Sequence, residues 1–141
     1  MTVRGTPLVA GTASGEALVS REPLSFWGGY DHRTGDIIDR RHPLAGQNAA
    51  GRVLVLPYAR GSSTTTAVLL EALRAGTAPA AILTTGVETF FALAAVVAGE
   101  MFRQTLPVIA IRERDAARLR TGMHLILGQD GTITLEAGGQ P

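Results

Sequence analysis

The densest group of hydroxyl side chains lies between two apolar runs, at residues 53–56 and 67–73. In order, the group is Arg60, Gly61, Ser62, Ser63, Thr64, Thr65 and Thr66. A hydroxyl at a helix start usually caps unpaired backbone N–H groups, and one such cap is enough. The surplus hydroxyls beside Arg60 indicate a second use, because an arginine and a helix N-terminus both attract anions. The segment is therefore predicted to bind a carboxylate or a phosphate.

A second cluster of interest combines aromatic residues with adjacent glycines. It reads Ser25, Phe26, Trp27, Gly28, Gly29, Tyr30 and Asp31, and it holds the single tryptophan of the chain. The simplest interpretation is a turn stapled to the core by Phe26 and Trp27. The alternative is a ligand loop, in which Gly28 and Gly29 let the backbone approach a substrate and Ser25 offers a polar contact. The spacing leaves both interpretations open.

Composition excludes several kinds of chemistry. The chain has no cysteine and its thirteen basic residues are all arginine, which removes a thiolate metal site, a Walker A loop and a Schiff-base lysine. The three histidines lack metal-ligand spacing, so we expect no metal or other cofactor bound by this chain. A net charge of +1 without a basic stripe argues against nucleic acid as a partner.

The elements that must position these clusters can be read from apolar periodicity. The first fifty residues look β-rich and loop-rich, with strands at 17–19 and 37–38 and turns at 28–29 and 34–35. From residue 53 the pattern becomes βαβαβ. The predicted elements are strand 53–56, helix 63–74, strand 81–84, helix 88–101, strand 108–111, a short helix near 115–120, and a hairpin of 123–127 with 132–135.

These elements predict one α/β domain over residues 1–141, with sheet and helix layers sharing a core. Helix 88–101 is apolar nearly all round and is expected to be deeply buried. The longest apolar run, 90–98, is well short of the ~20 residues that span a bilayer, and the start of the chain lacks the apolar core of a signal peptide. We therefore expect a cytoplasmic protein without a membrane partner.

Several ordered motifs carry a resemblance to a known family. They are residues 15–19, 25–29, 34–35, 37–39, 42–43 with Gly46, 60–63 and 78–80. Over nearly its whole length the chain resembles the swivel domain, or small subunit, of the aconitase X family. The resemblance implies a swivelling β/β/α domain, with a β-rich first half, a βαβαβ unit and a closing hairpin.

The resemblance also implies a function. Members of the family are dehydratases in which a large catalytic subunit carries an iron or iron-sulfur centre and the small part closes over it, here as a heterodimer. The implied proton-abstracting base is Ser62. The implied substrate contacts are Arg60, Gly61 and Ser63, with Ser25, Gly28 and Gly29 as further candidates. The expected substrate is cis-3-hydroxy-L-proline, and 5-phosphomevalonate is the alternative.

One departure from the pattern of aconitases concerns charge. Their swivel loop continues from two serines into a charged Arg-Glu-His run, whereas this chain continues with threonines at 64–66. The positive charge is therefore expected from Arg60 or from the large subunit. A function of another class also stays open, namely a non-catalytic anion-binding or regulatory module. A phosphocarrier domain is disfavoured, because no histidine lies at the helix start.

Overall fold

The computed structural model describes residues 1–57, 64–86 and 89–136. The strands in these parts are β1 (Thr2–Arg4), β2 (Thr6–Val9), β3 (Ala13–Val19), β4 (Val53–Leu56), β5 (Ala81–Thr84), β6 (Val108–Ala110), β7 (His124–Leu127) and β8 (Thr132–Glu136). The helices are α1 (Thr64–Ala75), α2 (Thr89–Phe102) and α3 (Glu113–Ala116). The strands are joined in the order β1-β8-β7-β3-β4-β5-β6-β2.

The centre of this arrangement is parallel. Strand β4 pairs with β3 on one side and β5 on the other, and β5 pairs with β6, all in parallel register. Every residue of β4 and β5 is buried. Two covered faces explain why these strands read as continuous apolar runs rather than as alternating ones. The predicted βαβαβ unit is confirmed, with its helices within about one residue of their expected bounds.

Strand β3 belongs to two sheets at once. Its first half, residues 13–16, pairs antiparallel with β7, and its second half, residues 17–19, pairs parallel with β4. Gly15 lies next to the change of partner, where an added Cβ would come within 2.9 Å of the carbonyl oxygen of Gly51. A side chain at that position would obstruct the passage of β3 from one sheet to the other.

The two faces of the parallel strands enclose two separate cores. One face packs against the helices through Leu18, Leu54, Leu56, Ile82 and Val108. The other face packs against the antiparallel strands through Ala17, Val53, Val55, Ala81, Leu83 and Ile109. The layers are therefore antiparallel sheet, parallel sheet and helices, which confirms the expected β/β/α fold.

The first fifty residues differ most from expectation. Strands β1 and β2 were not predicted, because each is very short and pairs with a strand that is distant in sequence. The predicted strand at 37–38 is wrong: Ile37 makes one isolated antiparallel bridge, to Tyr30. Helix α3 begins at Glu113, two residues before the predicted start, while β7 and β8 confirm the closing hairpin.

The expectation that the second helix is deeply buried is also wrong. Its inward side is lined by Phe91 and by alanines at 94, 95 and 98, which pack against the sheet and α1. Leu93, Val96 and Met101 are exposed on the outward side. Mean hydropathy alone does not distinguish an apolar helix that faces the core from one that keeps an apolar outer face. None of the helices in the described ranges is long and apolar enough to cross a membrane.

Candidate active site

The candidate site lies at one edge of the parallel strands. Because β3, β4 and β5 run in the same direction, their carboxyl ends meet there, and the chain continues into Ser20, Pro57 and Thr85 respectively. Helix α1 begins after β4 with Thr64. Open α/β sheets bind ligands at this kind of edge. The predicted site residues Arg60, Gly61, Ser62 and Ser63 belong to this connection, but they lie outside the described residues.

A cleft of about 160 Å³ opens at this edge. Its polar lining includes Ser20, Arg21, Thr85 and Glu113. The hydroxyl of Thr85 donates to the carbonyl oxygen of Pro57 at 3.3 Å, which ties the end of β5 to the end of β4. A hydrogen bond therefore links the ends of two neighbouring strands at this edge.

The guanidinium of Arg21 is committed to the backbone beside the cleft. It donates to the carbonyl oxygens of Ala116 at 2.7 Å, Leu119 at 3.2 Å and Ala117 at 3.4 Å. These carbonyls lie at the end of α3 and just after it, where an arginine side chain can hydrogen-bond the last carbonyls of a helix. Arg21 therefore holds α3 against the cleft, and most of its donors are already used.

The start of α1 combines a positive helix end with structural hydroxyls. The helix has twelve residues and no acidic side chain in its first turn, so nothing on that turn neutralises the positive end. Thr65 and Thr66 are buried, and the hydroxyl of Thr66 donates to the carbonyl oxygen of Phe90 at 3.2 Å. That bond joins the first turns of α1 and α2. The hydroxyl of Thr66 therefore has a structural task within the fold.

Ser25 lies in a different cleft from the one at the strand ends. This second cleft, of about 400 Å³, is lined by Ser25 together with Glu22, Asp39, Arg41 and His42. The hydroxyl of Ser25 donates to the carbonyl oxygen of Trp27 at 3.1 Å. Its observed task is to close the following turn, and its role as a substrate contact stays a prediction.

The structure buries His42, a residue to which the sequence assigned no role in the site. Its Nδ1 accepts a hydrogen bond from the backbone N–H of Leu44 at 3.1 Å, so in the neutral ring the proton is on Nε2. That Nε2 lies 3.4 Å from the hydroxyl oxygen of Ser20 and from the carbonyl oxygen of Glu22. Ser20 lines the first cleft and His42 the second, and their contact forms the wall between them.

The turn at Gly28 and Gly29 presents a tryptophan to solvent. Phe26 is fully buried, stacks on Tyr30 at 5.0 Å between ring centroids and meets Phe91 edge-on at 5.3 Å. Trp27, one residue later, is 71% exposed. The stapling interpretation is therefore right for Phe26 and wrong for Trp27. Gly28 lines a third cleft and not that of Ser25, although both residues belong to the same turn.

Metal ligands are scattered in the described parts of the chain. No group of three or more His, Asp or Glu side chains comes together there in a way that could hold a metal ion. His124 faces Glu136 at 3.4 Å across the β7–β8 pair, in the antiparallel layer. The donor set present in these residues does not fit an iron centre.

Comparison with known proteins places the chain in a family. The family model of the aconitase X swivel domain matches residues 2–135. A cis-3-hydroxy-L-proline dehydratase of Pseudomonas aeruginosa is 47% identical over 137 residues, which cover 92% of this chain and 23% of that protein. A phosphomevalonate dehydratase small subunit of Thermococcus gammatolerans is 35% identical, covering 92% of this chain and 93% of that subunit.

The fold agrees with that of a solved relative. The crystal structure of Thermococcus kodakaraensis aconitase X in its holo form matches with a TM-score of 0.86 and 32% identity, covering 97% of this chain and 99% of that one. The chain thus belongs to the aconitase X swivel domain family. It spans about a quarter of the length of the cis-3-hydroxy-L-proline dehydratases that it matches.

Proposed function

We propose that this chain is the swivel part of an aconitase X dehydratase and completes a hydro-lyase site together with a large catalytic polypeptide. Membership of the swivel family is the observation that carries the proposal. The relatives named above are dehydratases, either as one long polypeptide or with a separate small subunit. On this proposal the chain is inactive alone, works in the cytoplasm and forms a heterodimer with the large polypeptide.

In the proposed reaction Ser62 removes the proton next to the substrate carboxylate. The proton passes to the serine oxygen, the electron pair of the broken C–H bond forms the carbon–carbon double bond, and the C–O bond of the neighbouring carbon breaks. The departing hydroxide takes up a proton from the solvent to become water, and the serine returns its proton to the solvent before the next turnover. A serine oxygen is a strong enough base at neutral pH only where its negative charge is stabilised. The start of α1, which has no acidic side chain in its first turn, supports such stabilisation, and Arg60 adds a positive charge.

The substrate carboxylate would be held at the same helix end. Arg60, Gly61 and Ser63 are the proposed contacts, and Ser25, Gly28 and Gly29 stay secondary candidates, since the structure puts Ser25 and Gly28 in separate clefts. Any iron or iron-sulfur centre that the reaction needs is assigned to the large polypeptide.

The preferred substrate is cis-3-hydroxy-L-proline. The 47% identity to the Pseudomonas aeruginosa dehydratase supports it. A second candidate is 5-phosphomevalonate, because the subunits named for that reaction match this chain over almost their whole length. The positive helix end would accept either anion, so the choice depends on side chains of the large polypeptide as well.

The test is to purify this chain with its large polypeptide without oxygen and to measure dehydration of both compounds. Ser62→Ala is expected to reduce kcat by at least about a hundredfold, the lower range for loss of a general base. Ser14→Ala is the matched control, since Ser14 is exposed on the antiparallel half of β3. Equal rates for Ser62→Ala and the unmodified complex would contradict the assignment of the base. Anion binding by the chain alone, without turnover in the complex, would favour a regulatory module instead.

A further inference from the structure

The turn that carries Trp27 is built to hold an indole ring outside the fold. The Ser25 hydroxyl closes the turn on the carbonyl oxygen of Trp27, and Gly28 takes a left-handed φ of 77° that other residues adopt at a cost. Gly29 is buried, and its carbonyl oxygen accepts a hydrogen bond from the N–H of Ile38 at 2.9 Å. The turn is thus fixed on both sides, although its largest side chain contacts little of its own chain.

The surface around the indole has the composition of a docking site. Ile38 is 49% exposed, and together with Trp27, Gly28 and Val68 it lines a cleft of about 330 Å³. We name these four residues the Trp27 patch. Asp31 and Arg33 lie at its edge, and the backbone N–H and Nε of Arg33 both donate to the Asp31 carboxylate. An apolar centre with a polar rim is typical of protein interfaces, and tryptophan is enriched at their energetic centres.

The position of the patch indicates what covers it. Val68 is on the second turn of α1, and Ser62 lies two residues before Thr64, where that helix begins. If Ser62 acts on a substrate held by the large polypeptide, that polypeptide must approach the first turns of α1. Phe26, next to Trp27, packs on Phe91 in the first turn of α2. That turn of α2 is joined to α1 by the hydrogen bond from the Thr66 hydroxyl. Since Val68 lines the same cleft as Trp27, the patch adjoins the first turns of α1.

We propose that the Trp27 patch is the surface on which the large catalytic polypeptide of aconitase X docks, with Trp27 as its anchor. The inference rests on the proposed function, because it takes its partner from there. In the long relatives of this chain, of which it spans 23%, the corresponding contact lies within one polypeptide. The pre-formed turn limits the ordering cost of binding, since its backbone is already fixed.

The experiment uses the fact that Trp27 is the single tryptophan of the chain. The chain is labelled with 5-fluorotryptophan, which gives one fluorine NMR signal, and is titrated with unlabelled large polypeptide. The solvent isotope shift between H₂O and D₂O reports exposure of the ring. We expect the isotope shift of the free chain to disappear in the complex. Trp27→Ala should weaken binding by about thirtyfold or more, the usual effect at an interface anchor.

Two controls keep the outcome specific. Ile38→Ala should weaken binding as well, whereas Ile126→Ala should leave it within about twofold, since Ile126 is exposed on β7 in the antiparallel layer. A complex in which the fluorine signal keeps its isotope shift would overturn the docking surface and leave the proposed function standing. Protection of the ring by self-association of the free chain would assign the patch to a second copy and also overturn the inference. Failure to form any complex would remove both proposals.

Discussion

Replacing Tyr30 by phenylalanine should reverse the order of stability between neutral and alkaline pH. The Tyr30 ring is 3% exposed, and its hydroxyl donates to the carbonyl oxygen of Thr77 at 2.6 Å. Phenylalanine keeps the stack on Phe26 but loses that bond, which costs about 1 kcal/mol at pH 8. Burial raises the pKa of the Tyr30 hydroxyl, and the nearby charge of Asp36 raises it further.

The alkaline side follows from linkage. A buried phenol that keeps its proton in the folded state, but titrates near pH 10 when unfolded, stabilises the fold below pH 10 and loses that contribution as the pH rises. The loss is about 1.4 kcal/mol per pH unit, or about 2 kcal/mol at pH 11.5. Tyr30→Phe avoids it, so the two stability curves should cross between about pH 10 and pH 11.

The assay is urea unfolding followed by circular dichroism from pH 8 to pH 11.5. The chain suits it because it contains no lysine and no cysteine, so the side chains that titrate in the alkaline part of this range are its two tyrosines. The other is Tyr58, which lies outside the described residues. Tyr58→Phe is the control and should keep the alkaline loss, because Tyr30 remains. If the plots of unfolding free energy against pH for Tyr30→Phe and the unmodified chain stay parallel up to pH 11.5, the inference that burial raises the pKa of Tyr30 is refuted.

Two further substitutions test the walls of the clefts by urea unfolding at pH 8. Arg21→Met should lower the free energy of unfolding by about 1–2 kcal/mol, because it loses the hydrogen bonds to carbonyls at the end of α3 and after it. The control is Arg74→Met, which removes an exposed ion pair with Glu71 at 3.9 Å and should change the free energy of unfolding by less than about 0.5 kcal/mol. Equal losses would argue against the bracing role of Arg21. His42→Ala should lower the free energy of unfolding by about 1–3 kcal/mol, because it leaves the N–H of Leu44 unpaired. His124→Ala should lower it much less, because His124 is half-exposed. An unchanged free energy of unfolding in His42→Ala would contradict the structural role of the buried histidine.

The central strands and helices were predictable because local pattern and burial agree there. Residues 53–56 and 81–84 are apolar throughout and lie between two covered faces. The end of the first helix was also predictable, because glycine is common just after a helix, and Gly76 takes a φ of 78° after the last residue of α1. Strands β1 and β2 escaped prediction because pairing with β8 and β6, which are distant in sequence, decides their structure. At residues 37–38 the opposite happened: two adjacent apolar residues suggested a strand, but Ile37 makes only an isolated bridge.

The candidate site was predictable in chemistry but less so in arrangement. The position of the helix start after β4 followed from the pattern, whereas the task of Thr66 depends on a contact with the first turn of the other helix. His42 gave no signal by spacing, because its partners Ser20 and Leu44 are set by the course of the loop. The exposure of Trp27 could not be derived from its apolar character. For Arg60, Gly61, Ser62 and Ser63 the assignments stay predictions.

The pairing of β1 with β8 has a consequence for how such a domain is joined to other polypeptides. Thr2 lies opposite Thr134 in the register, so the first and last strands run side by side at one margin of the sheet, away from the central strand ends. A tether attached at that margin can be gained or severed with little disturbance to either core. Covalent linkage then contributes mainly an effective concentration, of millimolar order for a short flexible tether. A swivel domain on a separate polypeptide lacks that effective concentration and must gain the equivalent binding free energy from its contacts with the partner. The fused and separate forms of this family can therefore share one fold and one interface.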